Sequence, residues 1–348
     1  MAEYYFQLPT LPALTVAQQA ALDEGRQIAI SGGPGTGKSV VSLWRHIRNY
    51  QSNPIKRSLL LTYTTTLKEY LASTCRTQSS EAAINVGTSL KNGYKIKRTK
   101  YHEIIIDEAQ DLGADFYNGI VSKVSYGADD AQILYPSHSS TLNELKSIFP
   151  ENVDYVLGKN FRSTKAIMQF AKALFVQAYI PREVIVDLEM RNPGELPTFM
   201  ITNGNKFDRT NNEQDAAIAD IIEEYASETD NIAILVPWKN DVLVFEQVLE
   251  ERGIKDFSVY YEDKDRFPSG CESIKNIHIT TFKSAKGLEF DTVIIPNFHK
   301  YNEILGNFNI DWQDYYVGCT RAKSNLYLIS NDDMPELNNV VDKTYLYL

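Results

Sequence analysis

Apolar residues in this chain fall in short runs separated by polar stretches, and the spacing changes from one kind of segment to the next. Runs at 27–31, 58–63 and 103–107, with weaker ones at 123–126 and 155–157, read as strands. A glycine-rich turn follows the first run, and a helix is predicted from there through Trp44. A second series of strands is predicted at 198–201, 232–237, 277–282, 292–296 and 326–330. Helical spacing lies between them, as at 215–225 and 242–251. Alternation of this kind predicts mostly parallel sheets flanked by helices. Two successive series predict two domains, 1–150 and 151–348. The Asn-, Gly- and Asp-rich stretch 202–214 reads as a surface loop.

Composition fits this picture. The chain has 348 residues, room for two ordinary domains, with 43% hydrophobic and 23% charged residues. No apolar run is long enough to span a bilayer, so no membrane association is expected. Residues 1–14 show no basic segment ahead of an apolar run, so no secretory leader is expected. Cys75, Cys271 and Cys319 match no metal-ligand spacing and read as reduced thiols of a cytoplasmic protein. The net charge of −10 argues against a protein that coats nucleic acid over its whole surface. It leaves room for a local basic channel, or for a basic partner protein.

Two segments carry recognisable chemistry. Gly32-Gly33-Pro34-Gly35-Thr36-Gly37-Lys38-Ser39 matches the phosphate-binding pattern G-x-x-x-x-G-K-[ST]. Its glycines let backbone N–H groups converge on phosphate oxygens, and the helix that follows turns its positive end to the same place. Lys38 is expected to reach the β- and γ-phosphates of ATP and the Ser39 hydroxyl to ligate Mg²⁺. A glycine-rich turn can arise without a ligand, but here a strand precedes it and a helix follows. The second segment is the apolar run 103–106, which ends in Asp107 and Glu108. Asp107 is expected to hold Mg²⁺ through its water shell, and Glu108 to polarise the attacking water. An acid pair after a strand is by itself most often a solvated loop; the phosphate loop upstream changes that reading.

The tetrad Asp107-Glu108-Ala109-Gln110 resembles the second motif of the UvrD-like superfamily 1 helicases, and further blocks follow in that family's order. They are Leu14-Thr15-Val16-Ala17-Gln18, Leu60-Leu61-Thr62-Tyr63-Thr64, Asp129-Asp130-Ala131-Gln132, Asn160-Phe161-Arg162-Ser163, Thr281-Phe282-Lys283-Ser284-Ala285-Lys286-Gly287-Leu288-Glu289-Phe290 and Tyr316-Val317-Gly318-Cys319-Thr320-Arg321-Ala322-Lys323. The resemblance implies two RecA-like P-loop domains in tandem, with Mg·ATP in a cleft between them. It implies that Gln18 hydrogen-bonds adenine and Phe161 stacks on it. Gly287 and Glu289 are implied to meet the nucleotide, Glu289 at the ribose, and Gln132 to sense the γ-phosphate. It implies that Arg162 and Arg321 act as arginine fingers from the second domain. Thr62, Tyr63 and Lys283 are implied to contact single-stranded nucleic acid, DNA first.

The sequence departs from the family in several places. The intervals from Tyr63 to Asp107 and from Arg162 to Thr281 have no room for the family's large accessory insertions. Tyr135 is followed by Pro136-Ser137-His138, where relatives place a tryptophan that stacks on a base. Val40 stands where many relatives have an arginine, and Lys283 where a histidine is common. One feature points to nucleic acid independently: Lys91, Lys95, Lys97, Arg98 and Lys100, with Tyr94 among them, crowd a segment without an acidic residue. It reads equally as a solvated loop. Two functions are therefore expected to compete. One is an ATPase coupled to nucleic-acid translocation or remodelling. The other is a nucleotide-sensing subunit that gates a partner nuclease or effector, as in phage defence.

Overall fold

A computed structural model describes residues 4, 8–52, 55–205, 207–305 and 310–346. The chain divides into two compact units, Phe6–Phe161 and Arg162–Leu348, and Tyr4 belongs to the second.

In the first unit the strands are β1 (Ile28–Ser31), β2 (Ser58–Thr62), β3 (Val86–Thr88), β4 (Glu103–Ile106), β5 (Val124–Ala128) and β6 (Val153–Val156). They form one sheet in the order β3-β2-β4-β5-β1-β6, and each pairing is parallel. The helices are α1 (Val16–Asp23), α2 (Lys38–Ser52), α3 (Thr65–Arg76), α4 (Ser80–Ile84), α5 (Ser89–Ile96), α6 (Ala114–Tyr117) and α7 (Leu142–Ile148). Strands in a covered parallel sheet are apolar on both faces, and β2, β4 and β5 are buried at every position. Alternate side chains serve opposite faces. Ile28 and Ile30 join Ala21 and Val41 under α1 and α2, while Ala29 joins Leu59, Leu61, Ile104, Ile106 and Tyr126 on the other side.

The domain boundary expected near 150 lies further on. β6 pairs in parallel with β1, Ile30 opposite Tyr155, so residues through Phe161 complete the first sheet. As an edge strand with alternating half-buried positions, β6 carries too weak an apolar signal to show this in sequence.

In the second unit the strands are β7 (Thr198–Ile201), β8 (Ile232–Val236), β9 (Ser258–Tyr260), β10 (Ile277–Thr281), β11 (Phe290–Ile295), β12 (Ala322–Ser330) and β13 (Asp342–Tyr345). Their order is β13-β7-β12-β11-β8-β10-β9, again parallel throughout. The helices are α8 (Lys165–Leu174), α9 (Arg182–Arg191), α10 (Asn212–Tyr225), α11 (Lys239–Glu251), α12 (Tyr301–Ile304) and α13 (Trp312–Cys319). Ile232, Ile234, Ile279 and Ile294 meet Ile218, Ile222 and Phe245 in the core between sheet and helices. The fold is thus two α/β units, each a parallel sheet flanked by helices. No helix among the described residues is long and apolar enough to cross a membrane. The three cysteines are free and buried.

The helix that begins at the phosphate loop is fixed at its middle by a buried charge pair. On α2, Arg45 donates from Nε to Glu103 Oε1 at 2.8 Å, and its other nitrogens donate to the carbonyls of Glu24 (2.7 Å) and Arg26 (2.6 Å). Ser125 and Asn49 donate to the same Glu103 carboxylate, at 2.5 and 3.0 Å. Removing one partner strands the other as an unpaired buried charge. Glu103→Ala is therefore expected to lower the unfolding free energy by about 3–5 kcal/mol, read by urea denaturation of the chain. A loss below about 1 kcal/mol, as for exposed pairs, would contradict the account.

Candidate nucleotide site

The loop between β1 and α2 has its conformation set by glycine at two points. Gly37 has φ +87°, and a Cβ there would lie 2.4 Å from Gln18 Nε2; a Cβ at Gly32 would lie 2.5 Å from the Leu157 carbonyl oxygen. Lys38 is buried, and its ammonium donates to the carbonyls of Gly32 (2.7 Å) and Gly33 (3.0 Å). It also lies 3.8 Å from Asp129 Oδ2. The Thr36 hydroxyl donates to the Gly33 carbonyl at 2.9 Å. The segment after β6 grips the loop from outside: Asn160 Nδ2 donates to the Pro34 carbonyl at 3.0 Å, and the Phe161 N–H to the Gly35 carbonyl at 2.8 Å. Phe161 therefore belongs to the first unit, not the second. Asn160, quoted in a motif but given no role, acts as a clamp on the loop.

Beside the loop is a cavity of about 400 Å³, walled by Leu14, Val16, Ala17, Thr36, Leu157 and Phe161 among others. Phe161 is 51% exposed, so one side of an aromatic ring is offered on a mostly apolar wall. Cavities of this size and lining suit a planar heteroaromatic group. Gln18 stands behind this wall. Its Oε1 accepts from the Thr15 N–H (2.8 Å) and its Nε2 donates to the Thr36 carbonyl (2.9 Å). It caps α1 and braces the loop, and each amide end keeps capacity for one further bond.

The acidic strand end is tied to the loop by a chain of side chains. Asp107 is buried at the end of β4, and its N–H donates to the Leu61 carbonyl at 2.8 Å. A Cβ at Gly127 would lie 3.3 Å from Asp107 Oδ1 and 3.6 Å from Lys38 Cβ, so glycine leaves space between carboxylate and lysine. Glu108 is left-handed, φ 59° and ψ 45°, a conformation a non-glycine residue holds at a cost of about 1–3 kcal/mol and mostly at functional sites. Gln110 Nε2 donates to Glu108 Oε2 at 2.5 Å, while its Oε1 accepts from the Asp129 N–H at 3.2 Å. Asp129 Oδ2 in turn accepts from Gln132 Nε2 at 2.6 Å. Glu108, Gln132 and Lys38 are thus linked through Gln110 and Asp129, two residues that carry no role in the sequence pattern although both stand inside its motifs.

For a magnesium ion the donor chemistry fits. Asp107 and the Ser39 hydroxyl are hard oxygen donors, and the space beside Gly127 is kept open. Among the described residues no group of three or more His, Cys, Asp or Glu could hold a metal alone. One carboxylate, one hydroxyl, substrate phosphates and water is the usual magnesium set.

In the second unit, Arg162 Nε donates to Glu289 Oε2 at 3.0 Å, joining two residues assigned to different parts of the nucleotide. Arg321 is buried and donates to the carbonyls of Val317 (3.0 Å) and Leu288 (3.3 Å). Gly287 has φ +85°, and a Cβ at Gly318 would lie 2.5 Å from the Phe282 ring. These contacts knit the fifth and sixth motifs together. The Tyr4 hydroxyl donates to the Glu289 carbonyl (2.6 Å) and accepts from its N–H (3.0 Å), a brace that nothing in the sequence signalled. Lys283 is partly exposed, 3.9 Å from Asp314 Oδ1.

Of the residues assigned to nucleic acid, Thr62 does not reach the surface. It is fully buried in β2, and its carbonyl accepts from Ser89 Oγ at 3.2 Å. Only Tyr63 of that pair is partly exposed, with its ring 4.8 Å from Tyr135 at 39°.

Comparison with known proteins agrees with the motifs. The family model for the UvrD-like helicase C-terminal domain matches residues 262–333, and that for the Schlafen group 3 DNA/RNA helicase domain matches 26–190. The RecB subunit of the RecBCD enzyme from Chlamydia pneumoniae is 35% identical over 86 residues, 24% of this chain and 8% of RecB. A protein of Acanthamoeba polyphaga mimivirus named as an ATP-dependent DNA helicase is 27% identical over 256 residues, 65% of this chain and 34% of the viral protein. The chain thus spans about a third or less of these relatives. A solved C-terminal domain, described as that of a DNA helicase from Lactobacillus plantarum, shares 22% identity at a TM-score of 0.38, covering 53% of this chain and 98% of that one. Fold and motifs together define a helicase-type α/β protein. The chain is thus similar to the UvrD-like helicases over residues 262–333 and to the Schlafen group 3 DNA/RNA helicase domain over 26–190, and among the described residues the intervals 64–106 and 163–280 hold only elements of the two sheets and their connections.

Asp314 offers a measurable handle on the Lys283 region. Its Oδ2 accepts from the Asp311 N–H at 2.9 Å, while Oδ1 is buried without a hydrogen bond. Burial pushes its pKa up to about 6, against the pull of Lys283. Folding then takes up a proton between about pH 4 and 6, and stability falls as pH rises through that window. Asp314→Asn is expected to gain up to about 3 kcal/mol over the parent at pH 8 and nothing at pH 4, measured by denaturation at both. Equal differences at the two pH values would exclude the buried carboxylate as the cause.

Proposed function

We propose that this chain hydrolyses ATP and couples turnover to a strand of nucleic acid, single-stranded DNA first. The observation that carries this reading is the hydrogen-bonded chain Glu108–Gln110–Asp129–Gln132, in which Asp129 Oδ2 lies 3.8 Å from the Lys38 ammonium. A structural ion pair has no need of it, whereas phosphoryl transfer needs a lysine, a water activator and a phosphate sensor held in mutual register.

In this reading the adenine enters the cavity beside Phe161. The phosphates lie along the loop from Gly32 to Ser39. A phosphate oxygen replaces the loop carbonyls as acceptor for Lys38, a favourable exchange because hydrogen bonds to charged acceptors are roughly twice as strong. Ser39, and Asp107 through water, would hold a magnesium ion, which would supply charge neutralisation at the phosphates. Glu108 orients water for attack on the γ-phosphorus and takes its proton, and ADP departs with the electrons of the broken bond. Gln132 reports the γ-phosphate to Asp129 and Gln110. The finger roles assigned to Arg162 and Arg321 require each to leave its present partners, Glu289 for Arg162 and the Val317 and Leu288 carbonyls for Arg321. Tyr63 and Lys283 are the surface residues assigned to nucleic acid.

A second reading has support of its own. The intervals that hold accessory domains in the family hold only core elements here, and Pro136–His138 form a short turn where an aromatic ratchet residue would stand. Both favour a nucleotide-driven switch acting on a partner nuclease or effector.

Lys38→Ala is expected to abolish phosphate release, and retained turnover would remove the assigned site. Glu108→Gln should lower turnover by about 10²–10⁴-fold with ATP affinity kept; a matching loss of affinity would contradict its role. Adding single-stranded DNA should raise the ATPase rate severalfold. A rate indifferent to DNA or RNA, but responsive to a co-purifying protein, would replace the motor reading with the switch.

A further inference from the structure

Between Glu81 and Glu103 the chain carries five basic residues, Lys91, Lys95, Lys97, Arg98 and Lys100, and no acidic one, within a protein of net charge −10. The structure makes this segment α5 and the turn leading into β4, with all five cations exposed. Among the described residues none of the five is ion-paired. By contrast Arg48, Lys68 and Lys146 of the same unit are paired with Asp23, Glu69 and Asp154. Lys95 and Arg98 lie over the Tyr101 and Tyr94 rings, but like charges held close together without carboxylate partners repel, and that repulsion opposes gathering five of them.

The position of the cluster follows from the topology. All strands of the first sheet are parallel, and the phosphate loop leaves β1 at its C-terminal end. α5 starts at the C-terminal strand ends, where Ser89 Oγ donates to the Thr62 carbonyl, and runs to the other end of the sheet, so Lys95 and residues 97–102, which lead into the N-terminal end of β4, lie at the strand ends opposite the phosphate loop. Two neighbouring loops are tied to them there. The Tyr101 N–H donates to Ser122 Oγ at 2.8 Å, and the His102 N–H to the Arg57 carbonyl at 2.9 Å. These loops bring exposed Lys123 and Lys56 to the same end. The His102 imidazole is held below its usual pKa by burial and, in part, by these two lysines.

An aromatic ring stands among the charges. The Arg98 guanidinium lies over the Tyr94 ring, 3.8 Å from its centroid, and Tyr94 is 67% exposed. Leu90, one helical turn earlier, is 66% exposed. Cations for phosphates beside an open ring for bases are the two parts of a single-strand platform.

We propose that the last turn of α5 and the segment after it form a second nucleic-acid-binding surface, which holds single-stranded nucleic acid by its backbone at the strand ends opposite the nucleotide loop. It includes neither Tyr63 nor Lys283 and would tether a strand whatever the nucleotide state. The proposal extends the nucleic-acid part of the functional reading but does not need the ATPase to be a motor.

The test is binding of a fluorescent 30-nucleotide single strand (DNA in one arm, RNA in another, the matching duplex in a third) to nucleotide-free full-length protein across a salt series. Three proteins are compared. One is the parent; one carries Lys95→Glu, Lys97→Glu and Arg98→Glu; and a control with the same change in net charge carries Arg48→Glu, Lys68→Glu and Lys146→Glu. A further variant, with Lys95→Gln, Lys97→Gln and Arg98→Gln, guards against misfolding, and unchanged basal ATPase in all of them reports an intact nucleotide site. The expected result is at least about a tenfold loss of single-strand affinity in the cluster variant. Its salt slope should be shallower by about 2, since each phosphate left unneutralised takes about 0.7 from the slope. The Gln variant should fall between, and the control should stay near the parent. Equal affinity in parent and cluster variant, an equal loss in the control, no binding by the parent, or displacement by polyglutamate as effective as by DNA at equal charge would each overturn the proposal. ATPase stimulation is read separately. If it is absent while the cluster still binds DNA, the coupled-ATPase reading fails and this surface stands.

Discussion

The site in the first unit depends on a single amide. Gln110 donates to the Glu108 carboxylate with one end and accepts the Asp129 backbone N–H with the other. Remove it and the Glu108 carboxylate loses its link to the Asp129 backbone, whose side chain lies beside Lys38. The amide is fully buried, so water cannot take over its bonds, and an unmade bond would cost its full desolvation penalty. Such a network holds its members in one arrangement because each partial arrangement strands a polar group.

Much of this was legible in the amino-acid pattern, and for physical reasons. The central strands were readable because covered parallel strands are apolar at nearly every position, and the phosphate loop because its glycines meet steric limits that few other residues satisfy. β3, β9 and β13 escaped notice. The first is three residues around Gly87, the second equally short, and the third is a largely exposed polar edge. The end of the first unit was misplaced for the same reason, since β6 shows only half-burial.

Within the site, spacing could nominate Arg162 and Glu289 but could not show that they bind each other across 127 positions of chain. Nor could it show that Thr62 turns inward, that Gln18 braces the loop from behind the cavity wall, or that Tyr4 holds the Glu289 backbone. Each of these is a contact between segments brought together only by the fold. Motif positions identify which residues matter, while the partner each one keeps when the protein is at rest is a tertiary fact.

The all-parallel sheets also bear on how the molecule comes to exist. A hairpin can close within microseconds of its strands forming, but no described strand here has an antiparallel neighbour. β1, the strand that delivers the phosphate loop, finds its two neighbours only in β5 and β6, with Ile30 opposite Gly127 and Tyr155. During synthesis its apolar row must therefore wait with both edges open until β5, through Ala128, has left the ribosome, and with one edge open until β6, through Val156, follows. Slow closure of distant contacts and exposed strand edges are the conditions under which chains aggregate. The nascent chain is accordingly most vulnerable before β6 emerges, and truncations that stop short of it should be recovered as insoluble material.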